Sequence, residues 1–262
     1  MRQSVFFLLL FHVVSMAMGQ SKKETPHLHY FYNSGWLVET GKHLLVFDFI
    51  PDSASGVSLL RLEQLLKKGM SERKKIIVLI SHDHKDHFDS TVFNLSRIND
   101  DITYLTGWEY KTKPADLIIK TIKPGDSLVT NDYAVFTHTS SDEGSGMLIK
   151  VDGYTIYHAG DHALWAEQLT DMFANELKYI NSKANHIDLA FLPAARGLFT
   201  QCAYDSVIEK GLRLSAEILK PRAIALQHIG CADKLWQYKQ AQQALSKIKT
   251  NWIIPRRYDQ GF

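Results

Sequence analysis

The octapeptide SHDHKDHF, Ser81–Phe88, follows directly on the apolar run KIIVLI, Lys75–Ile80. A short continuous apolar run of this kind is the pattern of a strand covered on both faces. The chain must therefore bury a strand whose carboxyl end opens into a turn carrying three histidines and two aspartates within six positions, His82–His87. His82 and His84, two residues apart on extended backbone, project to the same side. Asp86 and His87 come from the turn beyond and can face a second point a few ångströms away. A divalent ion asks for neutral imidazoles and carboxylates converging at about 2.0–2.2 Å. The spacing thus predicts a metal site, with room for two ions side by side, whereas a solvated polar loop accounts for neither the buried strand nor the density of ligands.

A chain of 262 residues, 45% of them hydrophobic, can bury a core large enough to hold such a turn. The first nineteen residues stand apart: Arg2 precedes an apolar run from Val5 to Val14, and Ala17 and Gly19 follow in cleavage-site positions. This pattern predicts a signal peptide over residues 1–19 and an exported chain, periplasmic or secreted. The run is about half of the roughly 20 apolar residues a membrane span needs, so no stable membrane insertion is expected. Cys202 and Cys231 are the two cysteines. They are too few for a disulfide-built scaffold, and one bridge and two ordinary thiols are both open readings. The net charge of +2 gives no basic surface of nucleic-acid size. The expected partner is a small molecule.

Beyond the entry SKKETP the sequence LHYFYNSGWLVET, the Gly41-Lys42 turn and HLLVFDFI read as a hairpin. Leu59, Leu62, Leu65 and Leu66 recur at helical spacing between Gly56 and Lys68, with Gly69 as the stop signal. A short helix is expected around Ser90–Ile98, then strands at ITYL, DLIIK, SLVT, YAVFTH, GMLIKV and YTIYHAG, separated by PGD, ND and DG turns. IDLAFLPA and AIALQH read as further strands, and Tyr204–Leu219 and Lys234–Ile248 as helices. No Pro/Gly/Ser-rich linker divides residues 20–262, which are expected to form one domain of two β-layers with helices outside.

The His-x-His-x-Asp-His turn after an apolar strand resembles the signature of the metallo-β-lactamase fold superfamily. The resemblance implies an α/β fold, a four-layer αββα sandwich, and a metal-dependent hydrolase. It continues from Asp48 to His228. Asp48 in LLVFD takes the place of an aspartate that orients the metal loop. Asp161 in TIYHAGDH takes that of a carboxylate bridging two metals, and His228 in AIALQH takes that of the final histidine ligand. The implied ligands are His82, His84 and His138 for one ion and Asp86, His87 and His228 for the other, with Asp161 between them. At the third ligand of the first ion, FTHTSSDEGSGMLI also resembles a subgroup that lacks the histidine, so Ser141, Asp142 or Glu143 are alternatives to His138 there. His158 and His162 are expected beside the site rather than in it.

Two adjacent ions, zinc or alternatively manganese or iron, can lower the pKa of a shared water toward about 7 and stabilise charge on a substrate oxygen. The resemblance therefore implies attack by a metal-bridging hydroxide on an ester, lactone, amide or phosphodiester bond, with Asp86 as the catalytic carboxylate. Nothing like a G-x-S-x-G elbow is present. The branch that includes L-ascorbate-6-phosphate lactonase is the nearest in appearance. A β-lactamase is disfavoured by the absence of a cysteine ligand, and a non-catalytic metal-containing binder is the rival class. Arg196, Trp108 and Trp165 are candidate substrate contacts by position.

Overall fold

The structure is a computed structural model and describes residues 26–111, 116–196, 205–229, 246, 248 and 250–262. The expected signal peptide, Cys202 and Cys231, and nearly all of the helix expected at Lys234–Ile248 lie outside the described residues.

Two seven-stranded sheets face each other. In the first, β1 (His27–Tyr30), β2 (Trp36–Glu39) and β3 (His43–Phe47) run antiparallel, and β4 (Lys75–Ile80), β5 (Thr103–Thr106) and β6 (Ile119–Thr121) continue parallel from β3. In the second, β7 (Ser127–Val129), β8 (Tyr133–Thr139), β9 (Ser145–Val151) and β10 (Tyr154–His158) form an antiparallel meander. Parallel strands β11 (Leu189–Pro193), β12 (Ala223–Gln227) and β13 (Asn251–Ile253) extend it, while β14 (Gln260–Gly261) returns to the outer edge of β1.

The continuous apolar strands are buried on both faces, as their pattern requires. Leu45 and Phe47 of β3 and Ile77 and Leu79 of β4 point into the core between the sheets, where they meet Val135, Met147, Ile149 and Ile156. Leu44 and Val46, with Ile76, Val78 and Ile80, point the other way and pack under Leu62 and Leu66 of helix α1 (Leu59–Ser71). Helices α2 (Thr170–Asn181) and α3 (Ser206–Leu219) cover the outer face of the second sheet through Phe173, Leu177 and Leu212. The result is the αββα layering expected from the sequence.

Local departures have local causes. The first apolar run is two strands, because Asn33 takes a left-handed backbone (φ 48°) and turns the chain between β1 and β2. Helix α1 runs through Gly69 and ends when Arg73 turns left-handed (φ 63°), with Lys74 N–H donating back to the Gly69 carbonyl. Gly69 serves close approach instead: a Cβ there would lie 2.7 Å from Leu44 Cδ1. The helix expected near Ser90–Ile98 is a 3₁₀ helix, Ser90–Arg97, started by the Asp89 carboxylate accepting from Thr91 N–H. Helix α2 and the short strands β13 and β14 are not among the elements the sequence pattern predicts.

Candidate metal centre

The carboxyl ends of β3, β4, β10 and β12 meet at one end of the sandwich, and each delivers one part of the cluster: Asp48, His82–His87, Asp161 and His228. The chain is unusually tight here. An added Cβ at Gly107 would lie 2.2 Å, and at Gly144 2.3 Å, from the Ser81 carbonyl oxygen, and one at Gly160 would lie 2.7 Å from Ser81 Cβ. Three glycines thus let the loops after β5, β8 and β10 close on the residue that begins the histidine turn.

Two groups of donors result, His82, His84 and Asp161 in one and Asp86, His87 and His228 in the other. In the first, His82 Nε2 lies 3.0 Å from His84 Nδ1 and 3.3 Å from Asp161 Oδ2, and His84 Nδ1 lies 4.0 Å from Asp161 Oδ2. In the second, Asp86 Oδ2 lies 3.7 Å from His87 Nε2 and 3.4 Å from His228 Nε2. Asp161 Oδ1 reaches both of those rings, at 2.9 Å and 3.4 Å. Donors arranged tetrahedrally at ~2.0–2.1 Å from an ion stand about 3.3 Å apart, and the separations here fall on either side of that, from 2.9 to 4.0 Å. Asp161 turns one oxygen to each group.

The far nitrogen of each ring decides which nitrogen faces inward. His228 Nδ1 lies 2.7 Å from the Ala195 carbonyl, which can only accept, so the proton is on Nδ1 and Nε2 faces the cluster. His87 Nδ1 donates to Asp48 Oδ2 at 2.7 Å. His82 Nδ1 donates to Ser81 Oγ at 2.9 Å, whose own hydrogen goes to Asp48 Oδ2. His84 is reversed: its Nε2 meets Glu143 Oε2 at 2.6 Å, leaving Nδ1 for the cluster. Asp48, fully buried with φ 39°, also accepts from Ser81 N–H at 2.7 Å, so one carboxylate orients the start and the end of the turn.

Electrostatics favour a cation. Burial pushes the Asp161 pKa up, but the neighbouring His87 and His228 outweigh it and hold the carboxyl well below its ordinary range. Burial pushes His87 down, but Asp161 and Asp48 together raise it well above the ordinary imidazole range. Asp86 is likewise lowered, burial being overcome by His228 and His87. His87 Nε2 and Asp161 Oδ1 are buried and 2.9 Å apart, yet neither has a well-formed hydrogen bond among the described residues. Imidazole nitrogens and carboxylates so arranged fit divalent ions.

His138 does not join them. Its Nδ1 lies 2.9 Å from the Thr139 carbonyl and its Nε2 2.8 Å from Tyr157 Oη, so both nitrogens are engaged in a buried pocket closed by His162 and Glu176. A Cβ at Gly146 would meet its Nε2 at 2.0 Å, so the glycine is what admits the ring. The first group therefore has two histidines, not three. Neither His158 nor His162 is in the cluster: His158 stacks on Phe47 with its ring 8° from parallel, and His162 Nε2 reaches the Phe173 carbonyl at 3.2 Å.

Of the candidate substrate contacts, Trp165 stands edge-on to His228 at 5.6 Å and donates from Nε1 to the Asp161 carbonyl at 2.9 Å. Trp108 packs edge-on to Phe88 and Tyr110, beside the end of the histidine turn. Arg196 is ion-paired with Asp205, which caps α3, so its charge is already matched. Sequence reasoning missed Ser81 and Asn33. Asn33 Nδ2 donates to the Asp86 carbonyl at 2.9 Å and its own carbonyl accepts from Ile229 N–H, tying the two loops of the second group together. The NSG turn was the available signal.

A family profile described as Beta-lactamase superfamily domain matches residues 27–198. The chain belongs to the metallo-β-lactamase superfamily. It is similar to a UPF0173 metal-dependent hydrolase of Bacillus pumilus, 30% identical over 175 residues that cover 59% of this chain and 68% of the relative. A UPF0173 metal-dependent hydrolase of Bacillus velezensis is 28% identical over 208 residues, 73% of this chain and 79% of the relative. Among solved structures Igni18, a metallo hydrolase from Ignicoccus hospitalis, shares the fold at a TM-score of 0.58 and 17% identity, with 90% of this chain and 97% of that one covered. This superfamily member is a metal-dependent hydrolase.

Proposed function

We propose that the enzyme is an exported, dinuclear hydrolase that cleaves an ester, lactone, amide or phosphodiester bond of a small molecule, with zinc as the metal and manganese or iron as alternatives. The observation that carries this reading is Asp161, whose two oxygens face two separate donor groups. A closed structural site fills four positions on one ion and has no use for a shared carboxylate. Divalent ions held there would supply Lewis acidity and acidify a water toward a pKa of about 7.

The chain's own residues do the rest. Asp48, Glu143, Ser81 and the Ala195 carbonyl fix the four rings in one tautomer each, so no reorientation is needed during the reaction. Asp86, with its carboxyl held ionised, can orient a water and take its proton. Trp165 walls the His228 side and keeps that flank dry. Export is supported by the apolar run and small residues of positions 1–19; mass measurement of the mature chain should give a start close to Gln20, and a membrane-bound form retaining Met1 would overturn it.

The decisive assay is a hydrolysis panel of lactones, β-lactams and phosphodiesters with the zinc-loaded protein, run alongside metal analysis. Turnover of at least one class, lost together with the metal in Asp161→Ala, is expected. Metal-independent turnover, or full activity in that variant, would refute the assignment.

A further inference from the structure

The two donor groups are not equivalent. Resting on the metal-centre reading above, we infer that Asp86, His87 and His228, with Asp161, hold a resident ion, whereas His82, His84 and Asp161 hold a second, exchangeable one.

Donor number is the first reason. The second group has four donors, Asp86 Oδ2, His87 Nε2, His228 Nε2 and Asp161 Oδ1. The first has three, His82 Nε2, His84 Nδ1 and Asp161 Oδ2, because His138 spends both its nitrogens elsewhere and Glu143 spends its carboxylate on the far side of His84. Exposure is the second. The His87 side chain is fully buried and that of His228 4% exposed, while His84 is 43% exposed and its partner Glu143 59%. His82 is 1% and Asp86 19% exposed, so water reaches the first group through the open His84 side and the second only past Asp86. Unmet need is the third: His87 Nε2 and Asp161 Oδ1, the two buried cluster atoms without a hydrogen-bond partner among the described residues, both lie on the second group's side, Asp161 Oδ1 being 2.9 Å from His87 Nε2 and 3.4 Å from His228 Nε2. An ion there relieves a desolvation penalty that the first group does not carry.

The Glu143–His84 pair makes the first group adjustable as well as weak. Glu143 acts as a positioning residue, since losing an orienting partner typically weakens a metal site 10–100-fold. The first ion then has the more open coordination and the solvent-facing side, which makes it the one a substrate oxygen reaches.

The test is a zinc titration at buffered free-metal concentrations, read as bound zinc per folded chain. Two binding steps at least about tenfold apart are expected in the wild type. His84→Ala should bind one zinc with the affinity of the tight step, Glu143→Gln should weaken the weak step alone, and His228→Ala should lose the tight step. Two ions bound in a single step, or a tight step lost in His84→Ala, would overturn the inference while leaving the dinuclear reading intact. A folded wild type that binds no zinc would remove both.

Discussion

Replacement of Gly107 by alanine should disable the metal centre without touching a ligand. The new Cβ would stand 2.2 Å from the Ser81 carbonyl oxygen and 3.1 Å from Ser145 Cβ. Ordinary carbon–oxygen contact is about 3.2 Å or more, so the Ser81 backbone must retreat by roughly 1 Å. Ser81 cannot do so alone: its carbonyl accepts from Ser145 N–H, its N–H and hydroxyl bind Asp48, and its successor is His82. Metal sites tolerate misplacement of about 0.2 Å. The expected outcome is a loss of about 1–3 kcal/mol in stability from overpacking and at least a ~10–100-fold loss of zinc affinity, comparable to removing an orienting partner. Chelator competition and thermal unfolding with and without EDTA measure both. Gly69→Ala is the control: its Cβ would crowd the buried Leu44 side chain, 2.7 Å from Cδ1, away from the ligands, so it should lose stability by overpacking yet keep wild-type zinc affinity. Wild-type zinc affinity in Gly107→Ala would show that the approach of these loops does not set the ligand geometry.

Asn33→Gly keeps the left-handed turn and deletes the bond to the Asp86 carbonyl, so zinc affinity of the second group should fall about tenfold with a stability change near 1 kcal/mol; Asn33→Ala should cost about 1 kcal/mol more, for the strained φ. Asp152, in the Asp152-Gly153 turn between β9 and β10, clamps the sheets at the opposite end by accepting from Thr40 Oγ1, His43 Nδ1 and Lys42 N–H. Burial raises its pKa, but these partners overcome that and hold it below the ordinary value. Its stabilisation is therefore fully present above about pH 4, the unfolded value, and is lost as pH falls through the lower folded value. Asp152→Asn should cost ~1 kcal/mol at pH 7, with the gap to wild type closing below pH 4 in denaturant titrations and zinc binding unchanged throughout.

The convergence of most candidate ligands is legible because their chemistry is written in spacing. His82, His84, Asp86 and His87 follow a strand whose apolar run announces burial on both faces, and Asp161 and His228 each follow another such strand. His138 shows where spacing stops being informative. Its place at the end of β8 is right for a ligand, but ring direction depends on Gly146 leaving space and on the Tyr157 hydroxyl nineteen residues on, which no local pattern reveals. Helix α2 carries its signal in Phe173, Leu177 and Ile180, yet its N-cap is Leu169, with no capping side chain, so nothing marks its start. Gly69 was misleading because a glycine can end a helix or let a neighbour in, and only the position of Leu44 distinguishes these.

Asp161 and His228 follow strands of the second sheet and His82–His87 a strand of the first, so a metal held by these residues would bridge the two halves of the sandwich. Metal binding is then also a fastening of the fold. An ion at a free concentration 1,000 times its dissociation constant adds about 4 kcal/mol to unfolding stability, comparable to a disulfide closing a long loop. Newly made chains that meet no metal should stay separable along the seam between the sheets, where Val135, Ile149 and Ile156 meet Leu45 and Leu79. Metal supply therefore governs how long the chain persists as well as whether it turns over substrate, and protease resistance should track zinc occupancy even for variants with no activity.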